Sequence, residues 1–177
     1  MRVTEVRAEH VIADLPDVVP LATLPGDYDT LICAAGFEDR AVHPATLLRT
    51  HGRHVGTAIV LDYRTNLADN SGRRDELLGQ LRAVAGQVHV VDEEGSEAEF
   101  DRRLRAHLPP SPKILFDISA ASGAFILRTL RALFAHAGAE QVNLTIVYAA
   151  AGEYNPTEEE AAILSEASKD TSQERPA

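Results

Sequence analysis

The sequence predicts a three-layer, doubly wound α/β domain with a mostly parallel, five-stranded sheet. Three observations carry that prediction. Short apolar runs of strand length alternate with segments whose apolar residues recur every three or four positions. The runs are continuously apolar rather than alternating, as strands covered on both faces must be. No hairpin signal lies between them, so helices make the connections.

Size and composition fit this class. A chain of 177 residues can bury its own core as one domain. Its 45% hydrophobic and 25% charged content is ordinary for a soluble globular protein. The 27 acidic residues outnumber the 17 basic ones, for a net charge of −10, which repels phosphate backbones and excludes bulk nucleic acid as a partner. Only 5% of residues are aromatic and none is Trp, so a base-stacking platform is not expected either. No apolar run approaches the roughly 18 residues of a membrane span. The opening residues Met1-Arg2-Val3-Thr4-Glu5 hold no secretory signal, so a cytoplasmic location is expected. The single cysteine, Cys33, excludes an internal disulfide, and its apolar neighbours predict a buried packing role.

Taken in order, residues 1–27 are the least legible. Val3 to Ala8 alternates roughly and suggests an extra edge strand, after which Pro16, Pro20 and Pro25 rule out a long helix. The run Thr30 to Ala35 is the first clear strand. A helix should follow over about residues 38–50, either starting near His43 with Pro44 in its first turn or kinked at Pro44. Val55 to Leu61 is the second strand. Ser71 caps a helix running to about Ala85, with Leu77, Leu78, Leu81 and Val84 as its apolar side and Gly86 as its stop. Val88 to Val91 is the third strand. Ser96-Glu97-Ala98-Glu99 reads as a capping box, followed by Phe100, Leu104 and Leu108 at spacing four and by Pro109-Pro110. Lys113 to Phe116 begins the fourth strand, and a helix from Ser122 to Ala137 follows, with Arg128 and Arg131 left for solvent or a partner. Val142 to Tyr148 is the fifth strand. A short helix through Leu164 closes the single domain, residues 1–164, and the acidic tail 165–177 is expected to be disordered.

Sheets of this kind bind ligands beyond the carboxyl ends of their strands, where strand order reverses. A strand order of 3-2-1-4-5 sets the Gly36 loop against the loop 117–123. The order 2-1-3-4-5 sets it against the Asp92 loop instead. The stretch Asp117-Ile118-Ser119-Ala120-Ala121-Ser122-Gly123 joins a buried strand to a helix start, so its amides can hold an anion without any lysine. Ser119 and Ser122 serve first as turn and N-cap residues, and no Gly-x-Ser-x-Gly elbow is present. Neither a Walker A loop nor a Gly-x-Gly-x-x-Gly fingerprint occurs.

Candidate ligand-binding residues are therefore Gly36, Phe37, Arg40, Tyr63, Asn66, Asp117, Ser119, Ser122, Gly123 and Tyr154. Arg40 would pair an anion, and Tyr154 would act as a lid after the small residues Ala149-Ala150-Ala151-Gly152. Glu38 and Asp117 are the candidate acid and base for any catalysis. The seven histidines show no metal-ligand spacing, and no cofactor is implied.

The unit of Asp117, Ser119, Ser122 and Gly123, faced by Gly36, resembles that of CRISPR-associated Rossmann-fold domains. In those domains a late strand ends in an Asp-x-Thr/Ser-Gly turn opposite the glycine loop of the first strand. The resemblance implies a Rossmann-like fold, a cyclic oligonucleotide ligand and a homodimer. The glycine is displaced here and no basic residue follows the turn. More broadly, the chain is similar to small stand-alone Rossmann-like proteins of bacterial defence systems. The expected function is a nucleotide-type ligand-binding or sensor module. A hydrolase or transferase acting on a nucleotide or phosphoester at the same site, and a structural or interaction subunit, are the alternatives.

Overall fold

A computed structural model describes residues 27–36, 38–63, 71–137 and 143–149. The proposed N-terminal edge strand, the short helix before Leu164 and the acidic tail lie outside the described residues. Five strands, β1 (Thr30–Ala35), β2 (Val55–Asp62), β3 (Ala85–Asp92), β4 (Lys113–Asp117) and β5 (Asn143–Val147), form one sheet. Its order is β3-β2-β1-β4-β5, and every pair is parallel. Four helices connect them: α1 (His43–Thr50), α2 (Ser71–Leu81), α3 (Glu97–Arg105) and α4 (Gly123–Ala137). This is the three-layer, doubly wound, Rossmann-like architecture expected, with the first of the two strand orders.

The continuous apolar runs are explained by alternate residues serving opposite layers. In β1 the side chains of Leu31, Cys33 and Ala35 join Ala45 and Leu48 of α1 and Leu77, Leu78 and Leu81 of α2. Ile32 and Ala34 join Phe100 and Leu104 of α3 and Phe125 and Leu133 of α4 on the other face. All six residues of β1 are buried. Cys33 lies in this core as expected, where burial, and then the charge of Asp117, push its thiol pKa far above the ordinary value. Asp29 fastens the lower ends of three strands. Its carboxylate and amide exchange hydrogen bonds with Lys113 at 2.9 Å, and its carbonyl accepts from Thr57 at 3.0 Å.

One helix start follows the first of the two alternatives read at Pro44, and one helix end differs from the sequence reading. A 3-10 turn over Asp39–Val42 precedes α1, which starts at His43 with Pro44 in its first turn. Proline loses no helical hydrogen bond there. Helix α2 ends at Leu81, not near Ala85, and β3 begins at Ala85. Gly86 is thus a strand residue. A Cβ at Gly86 would lie 2.9 Å from the Gly56 carbonyl oxygen, so the two strands approach too closely there for any side chain. Strand pairing of Val55 with Ala85 outweighs the helical pattern that Val84 prolongs. No helix among the described residues is long and apolar enough to cross a membrane.

The capping box at α3 forms as its sequence predicts. Ser96 Oγ accepts from the Glu99 amide at 3.4 Å, and the Glu99 carboxylate accepts from the Ser96 amide at 2.7 Å. These bonds from Ser96 hold the Glu99 carboxyl below its usual pKa. Ser96→Ala should cost about 1 kcal/mol. Phe100→Ala, which empties a fully buried position between α3 and α4, should cost about 3–5 kcal/mol. Urea titration of both variants checks this ranking, and equal losses would contradict it.

Candidate functional site

Strand order reverses between β1 and β4, so the loop after β1 and the turn after β4 share one edge of the sheet. The two meet at Gly36. A Cβ placed there would lie 2.8 Å from the Cβ of Ala120 and 3.3 Å from its carbonyl oxygen. Contact this close requires glycine, whatever the loop does chemically. The crevice wall proposed from the sequence is therefore a direct backbone contact.

Asp117 ends β4 and is buried. Its Oδ1 accepts from the Ser119 amide at 2.7 Å, folding the chain into a tight turn. Burial raises the carboxyl pKa. Hydrogen bonding from Ser119, and then the nearby charges of His43 and Arg40, oppose the rise. Ser119 is also buried, and its Oγ accepts from the Ala149 amide at 2.7 Å, joining the turn to the exit of β5. That bond gives the Ser119 hydroxyl a bracing role between the turn and the exit of β5. Ser122 caps α4 by accepting from the Phe125 amide at 3.2 Å. Gly123 opens α4 in an exposed position with nothing within 4 Å of where a Cβ would be. Among the described residues, the amides of Gly123 and Ala124 are the first of this helix left without a partner.

Tyr63 has a structural role that the sequence did not reveal. Its hydroxyl donates to the Ala120 carbonyl at 3.1 Å and accepts from the Ser122 amide, while its ring packs edge-on against Phe125 at 4.7 Å. Both hydrogen-bonding capacities are committed to bracing the turn. Tyr63 thus shapes the edge from beneath it.

Arg40 crosses from the loop after β1 to the end of β5. Its Nη1 donates to the Tyr148 hydroxyl at 3.0 Å and to the Ala149 carbonyl at 3.3 Å, and its Nε pairs with Glu38. The hydrogen bond it donates to Glu38 is the chief reason that the guanidinium pKa is raised. The side chain is only 18% exposed, yet Nη2 has no hydrogen-bond partner among the described residues. Glu38 is consequently a counter-ion to Arg40 and not a free base.

The neighbouring strand ends are also neutralised. Asp62 pairs with Arg74 at 3.2 Å, and Asp92 pairs with Arg103. Asp39 pairs with Arg73. Phe37, Asn66 and Tyr154 lie outside the described residues. His43 and Tyr148 belong to the site but were not predicted. In the sequence His43 marks a helix start without metal-ligand spacing, and Tyr148 reads as a strand residue. Their proximity to Asp117 and Arg40 arises from β1, β4 and β5 lying side by side.

A shallow cavity of about 810 Å³ lies at the opposite end of the sheet, bordered by Asp29, Thr57, Gln87, His89 and His107. The two imidazoles stack there at 3.9 Å. Burial, and then His89, lower the His107 pKa. We place the candidate site at the other edge, because helix amides and strand ends converge there. Among the described residues no three metal-ligating side chains are grouped to hold an ion. No protein-family model matches the chain, and no curated protein matches it significantly.

Gly36→Ala should destabilise the fold by about 1–3 kcal/mol, the usual cost of overpacking. Adding Ala120→Gly should recover most of that loss, and thermal melting of the single and double variants checks the coupling. The folded state binds the Asp117 proton more tightly than the unfolded chain does. Its contribution to stability therefore falls as pH rises from the ordinary 3.8 through the folded-state value. Asp117→Asn should flatten that descent. Stability curves of equal slope for the two proteins would contradict it.

Proposed function

We propose that this protein is a cytoplasmic binding or sensor module that takes a small anionic, nucleotide-type ligand at the carboxyl edge of β1, β4 and β5. The observation that carries this reading is the half-buried Arg40 guanidinium near Asp117, whose Nη2 has no hydrogen-bond partner among the described residues. A half-buried guanidinium with an unused edge suits one anionic group. The amides of Gly123 and Ala124, without a partner among the described residues, supply a second anchor of the same sign. Asp117 would accept from a ligand hydroxyl at the floor of the crevice.

Binding is favoured over hydrolysis or transfer by the way the reactive groups are engaged. Both serines are committed to turn and cap, Glu38 is paired with Arg40, and Asp117 is buried under its own turn. The resemblance to sensor domains of bacterial defence systems agrees with this reading.

A thermal-shift screen against mono-, di- and cyclic nucleotides tests it. A ligand at 100 times its Kd should stabilise the protein by about 2.7 kcal/mol. For a chain of this size that is a rise of roughly 5–10 °C. Arg40→Gln should lose the shift while still melting cooperatively. Absence of any shift across the screen, or one unchanged in Arg40→Gln, would overturn the reading.

A further inference from the structure

The end of the sheet opposite the candidate site carries two histidines that the ligand reading does not use. His89 of β3 lies on the same face as Val91, two residues on, and α3 packs on that face through Phe100 and Leu104. His107 stands two residues beyond the end of α3, in the connection to β4. The two imidazoles stack with centroids 3.9 Å apart and planes 14° apart. Both residues are half-buried, on the wall of the shallow cavity at this end. The stack therefore ties β3, an outermost strand of the sheet, to the exit of α3.

That connection begins as a tight helix exit and continues into two prolines. The amides of His107 and Leu108 turn back to the carbonyls of Leu104 and Arg105, both at 3.2 Å, and Pro109 and Pro110 have no amide to give. Side chains thus help to hold it to the sheet, Leu108 against the core and His107 against His89. Of the other residues lining the cavity, Asp29 alone is charged, and its Oδ2 accepts from the Lys113 amide at 2.9 Å. Lys113 turns its Nζ over the Tyr28 ring at 5.2 Å, and Arg105 turns its Nε back to the Asp101 carbonyl at 3.1 Å. From β3, Gln87 Oε1 lies 3.2 Å from His89 Nε2, and β2 brings the uncharged Thr57. One proton on the pair leaves a cation over a neutral ring. A second sets two like charges about 4 Å apart, a repulsion that costs about fivefold or more in proton affinity even in water.

We propose that the His89–His107 stack is an acid-released clasp: proton uptake by both rings parts them and frees the connection between α3 and β4 from the edge strand. Neutral rings keep the clasp shut. Burial, and then His89, hold the His107 pKa below the ordinary 6.5, so the folded protein binds this proton less tightly than the unfolded chain does. The contribution of the clasp to stability is therefore intact above pH 6.5 and is lost as pH falls from there through the lower folded-state value. That direction is opposite to the dependence set by Asp117, which separates the two effects. Imidazole is the side chain whose charge changes under mild acidification, as such switches require. The inference does not depend on the ligand reading, since the cavity and the candidate site lie at opposite ends of the sheet.

NMR titration of the imidazoles of the full 177-residue chain, with amide exchange followed across the same range from about pH 7.5 to 4.5, tests it. In His89→Gln the remaining His107 should bind its proton about fivefold or more tightly than in the parent. As both rings of the parent protonate, the amides of residues 106–108 should lose protection about fivefold or more beyond any loss in β1, once intrinsic exchange rates are divided out. His107→Phe keeps a ring that cannot charge, and its amides at 106–108 should stay protected at the acid end. An unchanged His107 affinity in His89→Gln overturns the proposal. So does protection of residues 106–108 that persists while both rings protonate, or that His107→Phe loses to the same extent.

Discussion

The structure depends on the burial of β1 from both sides. A six-residue strand with every side chain inside can only be the middle of a sheet with a helix layer on each face. Its odd-numbered residues anchor α1 and α2, and its even-numbered residues anchor α3 and α4. Its two neighbours, β2 and β4, leave in opposite directions along the sheet. The candidate site is a consequence of that divergence, because the connections after β1 and β4 pass over opposite faces and part at this edge.

At this edge the strands end in acids, and each acid is answered by an arginine from a different element. Asp62 has Arg74, Asp92 has Arg103, and Asp117 lies within the field of Arg40 and His43. The pairing offsets the negative charge that these strand ends would otherwise concentrate at one edge. Arg40 differs from the other two arginines because it reaches across a neighbouring strand to the end of β5. It links the two loops that border Asp117, and it would couple a ligand's charge to the relative position of β1 and β5.

Much of the architecture was legible because it follows from local patterns. The alternation of continuous apolar runs with helical periodicity identified the five strands and four helices, and the Ser96 capping box marked a helix start correctly. The structure adds to the local pattern where a distant partner acts on it. Val84 continues the apolar spacing of α2, yet the close approach of Gly56 to Gly86 draws the chain into β3 four residues after Leu81. Leu127 and Phe134 fit a helix buried over most of its circumference, yet α4 lies at the rim with one flank uncovered by the described residues. Tyr63 looked like a ligand contact because a polar aromatic residue after a strand often is one. Its hydroxyl is instead shared by a carbonyl and an amide of a turn 57 and 59 residues away.

The sequence alone determined the α/β class, the parallel connections and the identity of the turn that closes β4, since each rests on contacts within a few residues. Strand order, the contact of Gly36 with Ala120 and the reach of Arg40 to β5 were decided only by tertiary structure. Both candidate orders satisfy the same local patterns, and only packing between distant residues separates them. The serines of the turn read the same way in both views, as cap and brace. What Asp117 faces could be learned only once β1, β4 and β5 lay side by side.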